Sequence, residues 1–273
     1  MKIKNIFQLL GLRGKPKHYG YNIQTFTLRD DVKVRYAQWL HPKESTKILT
    51  QEMVDAYQKI VSDGDFCIDI GAHTGDSVLP MALAVGRSGC VLALEPNPFI
   101  YHVLEKNARM NSERTHIKTL MAAAATTPGF VSFEYSDAGF CNGGRHEGIS
   151  FLEHGHAFNL DVFCVDLESE LQEDYACFLP RLTFIKVDAE GYDLYVLKSI
   201  SNLIKKYRPI IKAEIFKSTD DAYRREMLAF FQDLNYAVFK IEQEPLTVGA
   251  QITEHNLHAW KHYDVLCQPL RSD

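Results

Sequence analysis

Asp69, Gly71 and Gly75 share one short run, Asp69-Ile-Gly-Ala-His-Thr-Gly75, and Glu95 follows twenty residues on. Phe66-Cys-Ile-Asp-Ile70 and Cys90-Val-Leu-Ala-Leu94 read as two short buried strands. Each acid therefore stands where a strand gives way to a turn. Gly71 lets the chain turn tightly where a side chain would strike a ligand, and Gly75 opens the helix that follows. A carboxylate after the second strand can hold both hydroxyls of a ribose, as it does in dinucleotide folds. These spacings suit the binding of an adenosine-bearing ligand.

Two such ligands compete. A dinucleotide asks for G-x-G-x-x-G, with helix N–H groups on a pyrophosphate. Here the glycines are Gly71 and Gly75, with no third in register. Asp69 would repel a phosphate, but it suits the amino and sulfonium groups of S-adenosyl-L-methionine. The pattern favours that methyl donor, with S-adenosylhomocysteine as product. An NAD-dependent oxidoreductase is the alternative enzyme, and a non-catalytic scaffold retaining the fold is the alternative of another kind.

The elements that must position these residues alternate along the chain. Residues 22–40 read as a hairpin turning near Asp30-Asp31, and 44–61 carry a helical pattern. A helix spans Ser77 to Val85. Asn97-Pro98 starts another, with Asn as cap and Pro in the first position, running to about Met110. Strands are expected at His116–Leu120, Val131–Tyr135, Leu160–Val165, Leu182–Val187, Pro209–Phe216, Tyr236–Ile241 and Tyr263–Cys267. Helices run from about residue 189 to Lys206 and from Ala222 to Leu234. The pattern predicts an α/β fold: a seven-stranded, mostly parallel sheet with an antiparallel last strand and helices on both faces. Residues 1–43 form an N-terminal extension of a basic segment and the hairpin. Residues 44–273 form the main domain, with a loop insertion at 136–159.

Four blocks of this sequence resemble the FkbM family of methyltransferases: Gly64 to Gly75, Leu94-Glu-Pro-Asn97, Ile185 to Tyr192, and Arg208-Pro209 leading to Glu214. The resemblance covers roughly residues 45–270 and implies the Rossmann-like class I fold and methyl transfer to hydroxyls, often on sugars. By position it implies that Asp69, Gly71, Ala72, His73, Thr74 and Gly75 line the methionine end. Glu95 would hold the ribose with Asn97 nearby, and Met121-Ala122 would flank the adenine. The acceptor would be a glycan or small hydroxylated molecule, in the cytoplasm.

Methyl transfer to an alcohol needs alignment and a base for the departing proton. Asp188 and Glu190 follow a buried strand, where ligands bind in such sheets. Asp188 can orient cofactor or acceptor, Glu190 can serve as base, and His73 sits in the glycine loop. With Glu214 these acids could hold a divalent metal, but Lys186 and Lys212 are available to pair with them, so metal is not favoured. His146, His154 and His156 fall in the 136–159 loop. His255, His258 and Trp260 lie in a connection expected to open on the ligand face.

Bulk properties exclude little and fit this reading. The chain has 273 residues, 46% hydrophobic and 24% charged, with net charge −5. Nothing suggests a nucleic-acid partner. Six cysteines form no CxxC pair. Residues 1–28 carry five basic and no acidic residues. They read as a helix packed on the domain or a frayed terminus in preference to a weak membrane-surface contact, with no segment resembling a signal peptide or membrane span.

Overall fold

Residues 66–70 and 90–94 are apolar at almost every position because both faces of their sheet are covered. The computed structural model describes residues 17–135 and 158–270. Its main sheet runs in spatial order β12 (Thr247–Gln251), β11 (Tyr236–Gln243), β13 (Tyr263–Pro269), β10 (Ile210–Ile215), β9 (Leu182–Val187), β3 (Phe66–Ile70), β4 (Cys90–Leu94) and β5 (Ile117–Leu120). Strands β5, β4, β3, β9 and β10 are parallel neighbours, and β13 enters antiparallel between β10 and β11. Seven strands match the expectation. The eighth, β12, is a hairpin partner of β11 on the sheet edge. All five of its residues are exposed, so it carries no apolar period by which sequence could reveal it.

Period-two alternation divides the core. Phe66, Ile68 and Ile70 of β3 face α5 (Asp193–Ser199), α6 (Ser201–Tyr207) and α7 (Asp221–Asp233) through Leu194, Leu203 and Phe231. Cys67 faces the other way, toward α1 (Gln51–Gln58), α2 (Val78–Val85) and α3 (Pro98–Met110). Asp69 shares the parity of Cys67 and is wholly buried. Strand order reverses between β4, β3 and β9, the switch point at which such sheets bind ligands.

A smaller sheet holds β6 (Ala123–Ala125), β8 (Phe158–Asp166) and β7 (Gly129–Tyr135). The expected histidines 146, 154 and 156 lie outside the described residues, as does the basic stretch 1–16. No helix among the described residues is long and apolar enough to cross a membrane.

The helical pattern at 44–61 yields a shorter helix. α1 begins at Gln51, where the Thr50 hydroxyl accepts from the Met53 amide. Residues before it are held elsewhere: the Lys47 amide donates to Gln38 Oε1 at 2.7 Å. The helix expected to reach Lys206 is two helices, broken at Ile200.

The N-terminal hairpin, β1 (Tyr21–Thr27) with β2 (Lys33–Trp39), docks on α3 through an apolar cluster and through hydrogen bonds of Arg35, Asn107 and Asn111, of which the Asn107 set is wholly buried. Asn107 accepts from the Ala37 amide at 2.6 Å and donates to the carbonyls of Ala37 and Thr74 at 3.2 and 2.8 Å. The Tyr36 and Thr74 hydroxyls meet beside it at 2.7 Å. Asn107→Leu strands three buried backbone groups, so a loss of about 2–4 kcal/mol is expected in denaturant unfolding. A loss under about 0.5 kcal/mol would mean the hairpin does not depend on this anchor.

Candidate functional site

The turn after β3 is built from backbone bonds that pin it to its neighbours. Gly71 and Ala72 amides both donate to the Leu94 carbonyl, at 3.0 and 2.8 Å, and the Asp188 amide donates to Ile70 O at 2.9 Å. Gly71 has φ +82, and a Cβ there would lie 2.0 Å from the Asp188 carbonyl oxygen. Only glycine lets the β3 and β9 ends come this close. Beyond these strand ends lies a cavity of about 710 Å³, with Gly71, His73, Glu95, Ala122, Asp188 and Glu190 on its wall.

Glu95 is 2% exposed. Its Oε2 accepts from the His73 amide at 2.9 Å and its Oε1 from the Asn97 amide at 2.8 Å. Burial pushes its carboxyl up to about 7, against the pull of those two donors. Each oxygen keeps further lone-pair capacity for hydroxyl donors.

Asp69 does not face the cavity. Its Oδ2 accepts from Ser77 Oγ at 2.5 Å and its Oδ1 from Lys186 Nζ at 3.2 Å. Lys186 also donates to Asp188 Oδ2 at 3.3 Å. Burial would lower the Lys186 pKa, but Asp69 and Asp188 together hold it well above its ordinary value. Ser77 and Lys186, not Asp69, stand on the wall. A fully buried carboxylate needs such a partner, so Asp69 serves the site by fixing Lys186.

The other expected residues divide. Ala72, Thr74 and Gly75 are buried off the wall. Thr74 is taken by Tyr36, and Gly75 packs on α3, a Cβ there lying 3.0 Å from Leu104. Asn97 caps α3, its Oδ1 accepting from the Phe99 amide at 2.9 Å. Met121 is 48% exposed and off the wall, while Ala122 is on it. His255, His258 and Trp260 do not line the cavity. The Arg224 guanidinium of α7 holds their connection away by donating to the carbonyls of Leu257, Trp260 and Lys261.

Charged residues beyond the expected set also stand on the wall, among them Glu44, Lys47, Asp76, Lys212, Glu244 and Asp264. Lys47 bridges Asp76 at 2.8 Å and Glu44 at 3.2 Å, and His73 Nε2 lies 3.9 Å from Glu44. Burial lowers the His73 pKa despite Glu44 and Asp76, favouring the neutral imidazole. Lys212 pairs with Glu244 at 2.6 Å and Asp264 at 3.0 Å. Among the described residues Asp188, Glu190 and Glu214 do not come together as one donor set; Asp188 pairs with Lys186, and Glu214 Oε1 lies 3.3 Å from His262 Nε2.

Glu190 sits at φ +51 in the turn after β9. Burial, then Asp188, raise its carboxyl to about 7, with Lys217 opposing. Both Glu95 and Glu190 thus bind protons more tightly folded than unfolded. Their stabilising contribution is full below about pH 4.5 and is lost as pH rises through about 7. The thermal midpoint is expected to fall between pH 6 and pH 8, and to fall less in Glu190→Gln. Equal slopes in both proteins, measured with EDTA present, would refute the role of Glu190.

The sequence matches the family described as Methyltransferase FkbM domain over residues 69–238. A curated relative, the methyltransferase sdnD of Sordaria araneosa, is 27% identical over 156 residues, which are 50% of this chain and 60% of that protein. The FkbM methyltransferase structure from Methylobacillus flagellatus has 16% identity and a TM-score of 0.47, covering 77% of this chain and 47% of that one. The O-methyltransferase from Bacillus cereus, solved in complex with SAH, has 13% identity and a TM-score of 0.44, covering 83% and 84%. The chain thus spans less than two thirds of the length of the first two.

Proposed function

The chain belongs to the FkbM methyltransferase domain family, and on that footing we propose that it moves a methyl group from S-adenosyl-L-methionine to a hydroxyl of a sugar, glycan or small hydroxylated metabolite in the cytoplasm. The observation that carries this reading is Glu95, a carboxylate almost wholly out of water on a cavity wall. Two adjacent ribose hydroxyls suit its spare acceptor capacity. Ala122, an apolar residue with no polar side chain, suits the flank of an adenine ring.

The cofactor supplies an electrophilic methyl carbon. The protein's own part is to bind, align and deprotonate. Gly71, His73 and Glu95 line the cavity, and Lys186 holds the Asp188 carboxylate on the same wall. Glu190, with a carboxyl pKa near 7, accepts the proton from the acceptor hydroxyl and releases it to solvent. Positioning supplies much of the remaining rate.

Calorimetric titration with S-adenosylhomocysteine, and separately with NAD, tests the cofactor class. Saturable one-to-one binding of the first and none of the second is expected. Binding of NAD alone would make the protein an oxidoreductase, and binding of neither would favour a scaffold. Turnover against a panel of hydroxylated sugars, with radiolabelled methyl donor, tests the acceptor class.

A further inference from the structure

We propose that Glu214, His262 and Asp264 form a divalent-cation site at the edge of the cavity, which Asp264 lines. Glu214 and Asp264 are cross-strand partners in the β10–β13 ladder, and His262 immediately precedes β13. One ligand atom from each lies within 4.8 Å of the other two. One imidazole and two carboxylates are a donor set that first-row divalent ions accept.

A second observation points the same way. Glu214 is 9% exposed, and its Oε2 is buried with no hydrogen-bond partner among the described residues. Its other oxygen lies 3.3 Å from His262 Nε2. Buried carboxylate oxygens are ordinarily satisfied, and the neighbours that bear on this one electrostatically are the acids Asp188, Asp193, Glu190 and Asp264. The cation Lys212 serves Asp264 Oδ2 and Glu244 instead. Phe216 braces the His262 ring edge-on at 5.9 Å. Asp264 also lines the cavity, so a cation here stands where an acceptor oxygen could reach it and lose its proton more readily. That use rests on the cavity being the acceptor site; cation binding itself does not.

The test is titration of the EDTA-treated, dialysed full chain with MnCl2, followed by calorimetry and by loss of the free Mn2+ paramagnetic signal, with no nucleoside present. One site of micromolar affinity is expected. His262→Ala, at a largely exposed position, and Asp264→Asn should each weaken it at least tenfold while leaving the thermal midpoint within a few degrees. His258→Ala, whose ring pairs with Asp221, should bind as the parent does. No saturable binding, or equal affinity in both site variants, overturns the site. A separate S-adenosylhomocysteine titration reports on the cofactor reading, so the two can fail independently.

Discussion

Glu95→Gln lowers the affinity for S-adenosylhomocysteine about 100-fold while the protein stays folded. In the proposed role the carboxylate accepts from two ribose hydroxyls, in a place almost without water. Hydrogen bonds to a charged acceptor are worth about 1.5–3 kcal/mol each. Loss of the charge removes part of both, about 2.7 kcal/mol together, which is about two decades in Kd. The amide keeps one oxygen for a backbone donor but turns its NH2 toward the other, so the fold loses about 1–2 kcal/mol as well. The parent's affinity should also rise as pH climbs through about 7, because the ionised carboxyl is the accepting form, and this rise should vanish in the variant. Unchanged affinity would remove Glu95 from the ribose site.

Gly71→Ala has the largest expected effect on stability. A methyl group at φ +82 costs about 1–2 kcal/mol by conformation alone. It would also stand 2.0 Å from the Asp188 carbonyl oxygen. That oxygen belongs to backbone whose amide is bonded to Ile70 O, so it cannot rotate aside, and the ends of β3 and β9 must separate. A total loss of about 4 kcal/mol or more is expected, lowering the thermal midpoint by roughly 8–16 °C at about 2–4 °C per kcal/mol. Gly20→Ala, where nothing lies within 4 Å, should change it by less than about 2 °C. A folded Gly71→Ala protein with the parent's midpoint would show that the strand ends are looser than described.

What the sequence shows and hides follows from the range of each interaction. Phe66–Ile70, Cys90–Leu94 and Leu182–Val187 announce themselves because burial on both faces leaves a local apolar run. Asn97-Pro98 is equally plain, since a cap is a matter of adjacent residues. Glu95 is legible from its place after a strand. The pairing of Asp69 with Lys186 is not, because the partners are 117 residues apart. Asp69 therefore reads as ligand-facing when it is a buried anchor. The Glu44–Lys47–Asp76 cluster is hidden likewise, and its first two members sit in a stretch whose spacing mimics a helix. Glu214 is legible as a strand-end acid, but its neighbour His262 becomes one only through antiparallel pairing with β13.

That distance between Asp69 and Lys186 has a consequence during synthesis. β3, β4 and β5 leave the ribosome in order and can associate, but β9, which must lie against β3, arrives 117 residues after it. At about 5–20 residues per second the delay is roughly 6–23 seconds. Through that interval the nascent sheet carries an open, apolar edge, the kind that recruits other chains, and Asp69 waits without its cation. A ligand of the cavity has no complete wall to bind until the Asp188 turn has emerged. A folding helper acting during synthesis would have to shield the β3 edge, since a ligand stabilises the chain only once β9 has joined the sheet.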